Sequence, residues 1–194
     1  MLKYCIRTMP QANLVGAGAW LICVCAYLVF KGMNYESMSY FGEAAFPLGG
    51  IILFSVIGII EDHYNLVDVI FPRIKSYAFV FLIRLSFLFF LCALLIIAPF
   101  AAIGYAKLGL GLWISAVFYG CLGMTVSILF KSASAGYLSA FAVFFMELFS
   151  GGKFSGKFYT LSMTVGDFSP KPRVFMLVCF LVLIDFIILR TRSC

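Results

Sequence analysis

Three charged residues stand inside otherwise apolar stretches: Arg84, Glu147 and Asp185. Charge at bilayer depth is costly, so it is kept where it pairs, lines a passage or holds a helix contact. Arg84 falls about two turns into its apolar run, where its long stem can snorkel to an edge. Glu147 comes one turn before Ser150-Gly151-Gly152, and Asp185 about one turn before Arg190. Two readings stay open: local pairing near the interfaces, or a polar passage or contact. A proton relay would need the three at one depth, which their places in the sequence do not provide.

The remaining reactive groups form no catalytic pattern. His63 is the single histidine, adjacent to Glu61 and Asp62. Three consecutive residues make a poor chelating set on a helix. Of the seven cysteines, Cys23, Cys25, Cys92, Cys121 and Cys179 lie in apolar runs, and Cys5 and Cys194 near the ends. They read as small apolar residues. Cys23 and Cys25 are two apart and point to opposite sides of a helix. There is no CxxC, HExxH, GxSxG or Walker loop. The expectation is a non-enzymatic chain that binds no metal and no cofactor of its own.

The elements that carry these residues must live in a membrane. Of 194 residues, 64% are hydrophobic and 11% charged. Soluble domains average about 45–50% apolar and about 25% charged, so a soluble surface cannot be covered here. An aromatic share of 18% excludes disorder. The net charge of +6 comes without any Lys/Arg run that could track a phosphate backbone. It fits topogenic loops against anionic lipid, with no nucleic acid as partner.

A crossing helix needs about 20 mostly apolar residues. The gaps between charges predict six: 12–30, 44–61, 77–99, 108–130, 133–150 and 173–190. Phe- and Leu-rich runs of this length do not alternate as barrel strands do. The first is too long for a cleavable signal and is expected to remain. Six crossings put both termini on one side. With termini cytoplasmic, Lys3, Arg7, Arg73, Lys75, Lys131, Arg190 and Arg192 lie inside. Lys31, Lys107, Lys153, Lys157, Lys171 and Arg173 then lie outside, in loops. Pairs of small residues (Ala116/Gly120, Ala135/Ser139, Gly136/Ala140) mark faces for close packing of helices four and five.

Two connections are long enough to hold structure. In 61–76, Leu66, Val69 and Ile70 fall on one helical face, and Pro72 closes the segment. It reads either as a short amphipathic helix at the membrane edge or as a plain interfacial turn. In 151–172, Phe154, Phe158, Tyr159, Leu161 and Phe168 alternate with polar residues. That suits an interfacial or re-entrant element anchored by aromatics.

Two stretches carry a family resemblance. One is GIIEDHYNLVDVIFPRIKSYAFVFLIRL, where a helix ends in acid, then come a short amphipathic segment, a proline and a helix with an early arginine. The other is YGCLGMTVSILFKSASAGYLSAFAVFFMELF, two helices joined by a short basic turn. With Ser169-Pro170 before the last helix, residues 44–172 resemble the type-2 ABC transporter permease family. The resemblance implies six transmembrane helices per subunit in the plasma membrane, with cytoplasmic termini. A coupling helix would lie between helices two and three, carrying Glu61, Asp62, Leu66, Val69, Ile70, Pro72 and Arg73. An external element would lie between helices five and six. The partners implied are cytoplasmic ABC ATPase subunits, which bind ATP and Mg, and a second permease copy. The aromatic and aliphatic helices favour an amphipathic peptide, lipid-like or drug-like substrate, and export is the expected direction.

Competing readings are the substrate-capture subunit of an energy-coupling vitamin importer and a bacteriocin-immunity membrane protein without transport. A third is a membrane-embedded hydrolase or oxidoreductase. The first needs a polar pocket built from outer loops and helix ends. The last needs paired catalytic groups at equal depth.

Overall fold

The computed structural model describes residues 11–32, 34–57, 77–151, 153 and 155–192. These form six α-helices and two short 3-10 turns, with no strand among the described residues. The helices are α1 (Gln11–Phe30), α2 (Tyr35–Phe54), α3 (Tyr77–Ala102), α4 (Ala106–Phe130), α5 (Ala133–Ser150) and α6 (Lys171–Arg192). The 3-10 turns, Gly156–Phe158 and Ser162–Val165, lie between α5 and α6. Four helices are long and apolar enough to cross a membrane: Ala78–Ala102, Ala106–Phe130, Ala133–Ser150 and Lys171–Thr191. The apolar stretch of α1, Asn13–Val29, is shorter.

Helix α4 is the axis of the bundle and packs on α2, α3, α5 and α6. Against α2 its backbone is in direct contact. A Cβ on Gly50 would stand 2.0 Å from the Ala116 carbonyl oxygen. Against α5 the approach is as close, since a Cβ on Gly136 would stand 2.4 Å from the Gly123 carbonyl oxygen. Small residues permit such crossings because the packing atoms are then backbone. The sequence expectation for one of these pairs needs correction: Ala116/Gly120 meets α2, while Gly136/Ala140 does meet α4.

Successive helices run antiparallel. At one end, the rings of Tyr35 and Tyr105 lie 5.6 Å apart, and Lys107 Nζ sits 5.4 Å from the centre of the Phe168 ring. At the other end, Asn13 Nδ2 donates to Tyr137 OH over 2.8 Å. The α4–α5 connection there is tight. Lys131 takes a left-handed conformation (φ 51°), and the Ser132 hydroxyl accepts from the Ala135 N–H to cap α5.

The boundaries predicted from charge gaps hold best for α5. Helix α2 is the largest departure. It begins at Tyr35, nine residues before the expected Ala44, and runs straight through Glu43. The charge does not stop the helix because it is neutralised within the bundle. Its helical part ends at Phe54, and the expected remainder to 61 falls largely outside the described residues. Helix α3 continues past Pro99 to Ala102. Helix α6 starts at Lys171, which was expected in a loop.

Candidate functional site: a buried charged network under a re-entrant segment

The segment after α5 does not stay at the surface. It turns at Gly151 (φ 58°) and re-enters the bundle so that Thr160, Leu161, Ser162 and Met163 are all buried. Met163 packs where Gly111 of α4 leaves room, its Cγ 2.8 Å from the position a Cβ would take. A 3-10 segment satisfies few of its own backbone groups, so buried partners must supply the rest.

Those partners are charged. Lys171, at the first position of α6, is 0% exposed and reaches Glu43 of α2, also 0% exposed, with Nζ to Oε1 at 2.5 Å. The same ammonium donates to Ser115 Oγ of α4 at 2.5 Å and to the Thr160 carbonyl oxygen. Ser115 Oγ stands 2.9 Å from Glu43 Oε2. One lysine thereby joins α2, α4, α6 and the re-entrant segment with its three donors.

Glu147 of α5 holds the other side of the same residue. Its Oε1 accepts from the Thr160 N–H over 2.9 Å and from the Ser155 hydroxyl. Its Oε2 accepts from the hydroxyls of Thr160 and of Tyr119. Tyr119 and Thr160 also meet each other at 2.6 Å. Thr160 is thus clasped at its N–H, its hydroxyl and its carbonyl, by an acid on one side and a base on the other.

A second polar pair lies in the opposite half. Asp185 Oδ2 accepts from Thr125 Oγ1 over 3.0 Å, while Oδ1 has no hydrogen-bond partner among the described residues. Arg84 and Asp185 are both buried. Both lie about two turns in from the same end of the antiparallel bundle, so these two share a depth that the sequence did not reveal. Glu147 belongs to the other half.

The expected aromatic anchors behave differently from the buried insert. Phe158 is exposed, while Tyr159 and Phe168 are half-buried. Burial pushes the Tyr159 phenol above its ordinary value. Phe154 lies outside the described residues, as do His63 and the expected coupling residues Glu61, Asp62, Leu66, Val69, Ile70, Pro72 and Arg73. At the exposed turn before α6, Asp167 accepts from the Ser169 N–H and hydroxyl, each at 2.8 Å. Those bonds hold its carboxyl below the ordinary carboxylate value.

Among the described residues, no group of three or more His, Cys, Asp or Glu is placed to hold a metal ion. Cys25, Cys92 and Cys121 are free and buried, while Cys23 and Cys179 are free and exposed. An apolar groove of about 400 Å³ runs between α1 and α3, lined by residues such as Ile22, Ala26, Leu94 and Ala98.

Glu43 and Lys171 escaped the sequence reading, which took one as a helix boundary and the other as a loop charge. A signal was present. A lysine at the start of a helix opposes the helix dipole, so it calls for a compensating anion. Comparison with family models, with curated proteins and with solved structures finds no match. The site therefore has to be read from its own chemistry.

Proposed function

We propose that this chain is the transmembrane permease subunit of an ABC-type transporter in the plasma membrane, all six of its helices crossing, its termini cytoplasmic. The observation that carries the reading is the re-entrant segment. A bundle whose fifth and sixth helices are linked by a buried, capping turn is what the type-2 permease resemblance leads one to expect. The antiparallel order adds support, since the C-terminus of α2 and the N-terminus of α3 both lie at the end opposite that cap.

In this reading residues 61–75 are the handle gripped by a separate ATPase, which binds ATP and Mg. Two permease copies form the pathway, and nucleotide-driven rigid-body motion opens it to alternate sides. The chain itself is not an enzyme. The substrate is an exported peptide, lipid-like or drug-like molecule that meets apolar walls such as the α1–α3 groove. The test is co-purification with an ABC-type ATPase followed by Ile70→Asp. Loss of coupling between substrate and ATP hydrolysis is expected, and unchanged coupling overturns the assignment.

A second reading gains from one observation. The substrate-capture subunit of a vitamin importer needs a polar cluster near outer loops and helix ends, and Glu43, Ser115 and Lys171 make one. A small vitamin retained through purification would favour it over the exporter.

A further inference from the structure

The buried charges and the turn that covers them make an unusual pairing. An ordinary apolar plug loses burial when it leaves and gains nothing. Here Glu43, Lys171 and Glu147 would each recover hydration if the covering segment withdrew. The segment is bounded by glycines in left-handed conformations, Gly156 (φ 52°) and Gly166 (φ 74°). A Cβ at either would meet nothing within 4 Å, so backbone freedom, not space, explains their type. Between them the chain is 3-10 and turn, the kind of element that opens below the free energy of global unfolding.

Its hold on the bundle is concentrated at few points. Thr160 makes the bonds to Glu147, Lys171, Ser115 and Tyr119, Glu43 accepts from the Met163 N–H, and Leu161 and Met163 supply the buried apolar contact. Ser155 adds one bond to Glu147, and Arg173 one to the Lys157 carbonyl. Ser162 is buried with its hydroxyl unpartnered among the described residues, so it contributes no side-chain bond there that opening would break.

We propose that residues 155–166 form a hinged strap that swings out of the bundle as one unit, uncovering a polar cleft lined by Glu43, Ser115, Tyr119, Glu147 and Lys171. The glycines absorb the backbone change. Glu147 and Lys171 are the clasp, and the strap's own Thr160 fills the cleft while it is closed. The device stands whether or not an ATPase partner exists, so its failure and that of the transporter reading are separable.

Hydrogen exchange of the full chain in lipid nanodiscs tests it. In Glu147→Gln, exchange of the strap amides should rise about tenfold while α4 and α6 stay as in wild type. If that variant does not fold, Ser155→Ala takes its place, with a smaller but equally local rise. A second measurement asks whether the strap moves as a unit. In Gly111→Cys/Met163→Cys, the disulfide pins one point of the strap to α4. Oxidation should slow exchange across the whole strap about tenfold or more, and reduction should restore it. Slowing confined to residues beside position 163, or a rise in Glu147→Gln spread evenly over α4 and α6, overturns the proposal.

Discussion

The two halves of this bundle are held by different physics, and α4 shows both. Toward the strap it presents Ser115 and Tyr119 to a network of charges. Further along it presents Gly120, Gly123 and Ser127 to neighbouring backbones. The first arrangement depends on long side chains that can find water instead. The second depends on atoms that cannot move apart without undoing the helix crossing. The contrast assigns rigidity to the glycine crossings and adaptability to the charged end.

The most severe way to test that division is to intrude on a crossing. Gly136→Ala places a methyl 2.4 Å from the Gly123 carbonyl oxygen, a backbone atom that no rotamer change relieves. Loss of roughly 3 kcal/mol or more is expected, seen as failure to purify as a folded protein or a large drop in Tm. A wild-type Tm for Gly136→Ala would remove the claim that this half is the fixed one.

Next comes the charged end. Lys171→Met leaves Glu43 buried without its cation, which costs about 3–5 kcal/mol. The double variant Glu43→Gln/Lys171→Met removes both charges and should recover most of that loss. Thermal unfolding of Lys171→Met, Glu43→Gln and the double variant in detergent measures it. Simple additivity of the two single losses would mean that the pair is not coupled.

Asp185→Asn sharpens the comparison by its smallness. One carboxylate oxygen already lacks a partner among the described residues, and the Thr125 bond to the other can persist. A change of about 1 kcal/mol or less is expected in the same assay. An effect as large as that of Lys171→Met would place a second ionic clasp in this half.

The helices were largely legible because the apolar gaps between charges are long, and α5 needed no revision at all. What stayed hidden was pairing at a distance. Glu43 and Lys171 are 128 residues apart, and nothing local tells a reader that each cancels the other. Reading each charge as a boundary therefore cut α2 short and left Lys171 in a loop. The re-entrant segment was flagged through its aromatics. Yet Phe158 is exposed, and of the described residues picked out there only Leu161 is fully buried, beside Thr160, Ser162 and Met163. Aromatic pattern marks an interface. A threonine's burial depends on which charges await it, and that is a tertiary fact.

The weakest effect concerns the strap's outer anchor. Asp167 is fully exposed and owes its lowered titration first to the Ser169 N–H and then to the Ser169 hydroxyl. A carboxyl whose folded value is depressed contributes stability above its unfolded value and loses it as pH falls through the folded one. The turn before α6 should therefore hold at neutral pH and loosen only below the ordinary value near 3.8. Carbon-detected NMR titration of Asp167 reads this directly. Ser169→Ala removes the hydroxyl bond and keeps the N–H, so it should move the titration part of the way back. A midpoint in wild type at or above the ordinary value would show that this turn does not anchor the strap. Clasping at Thr160 would then carry the whole closed state.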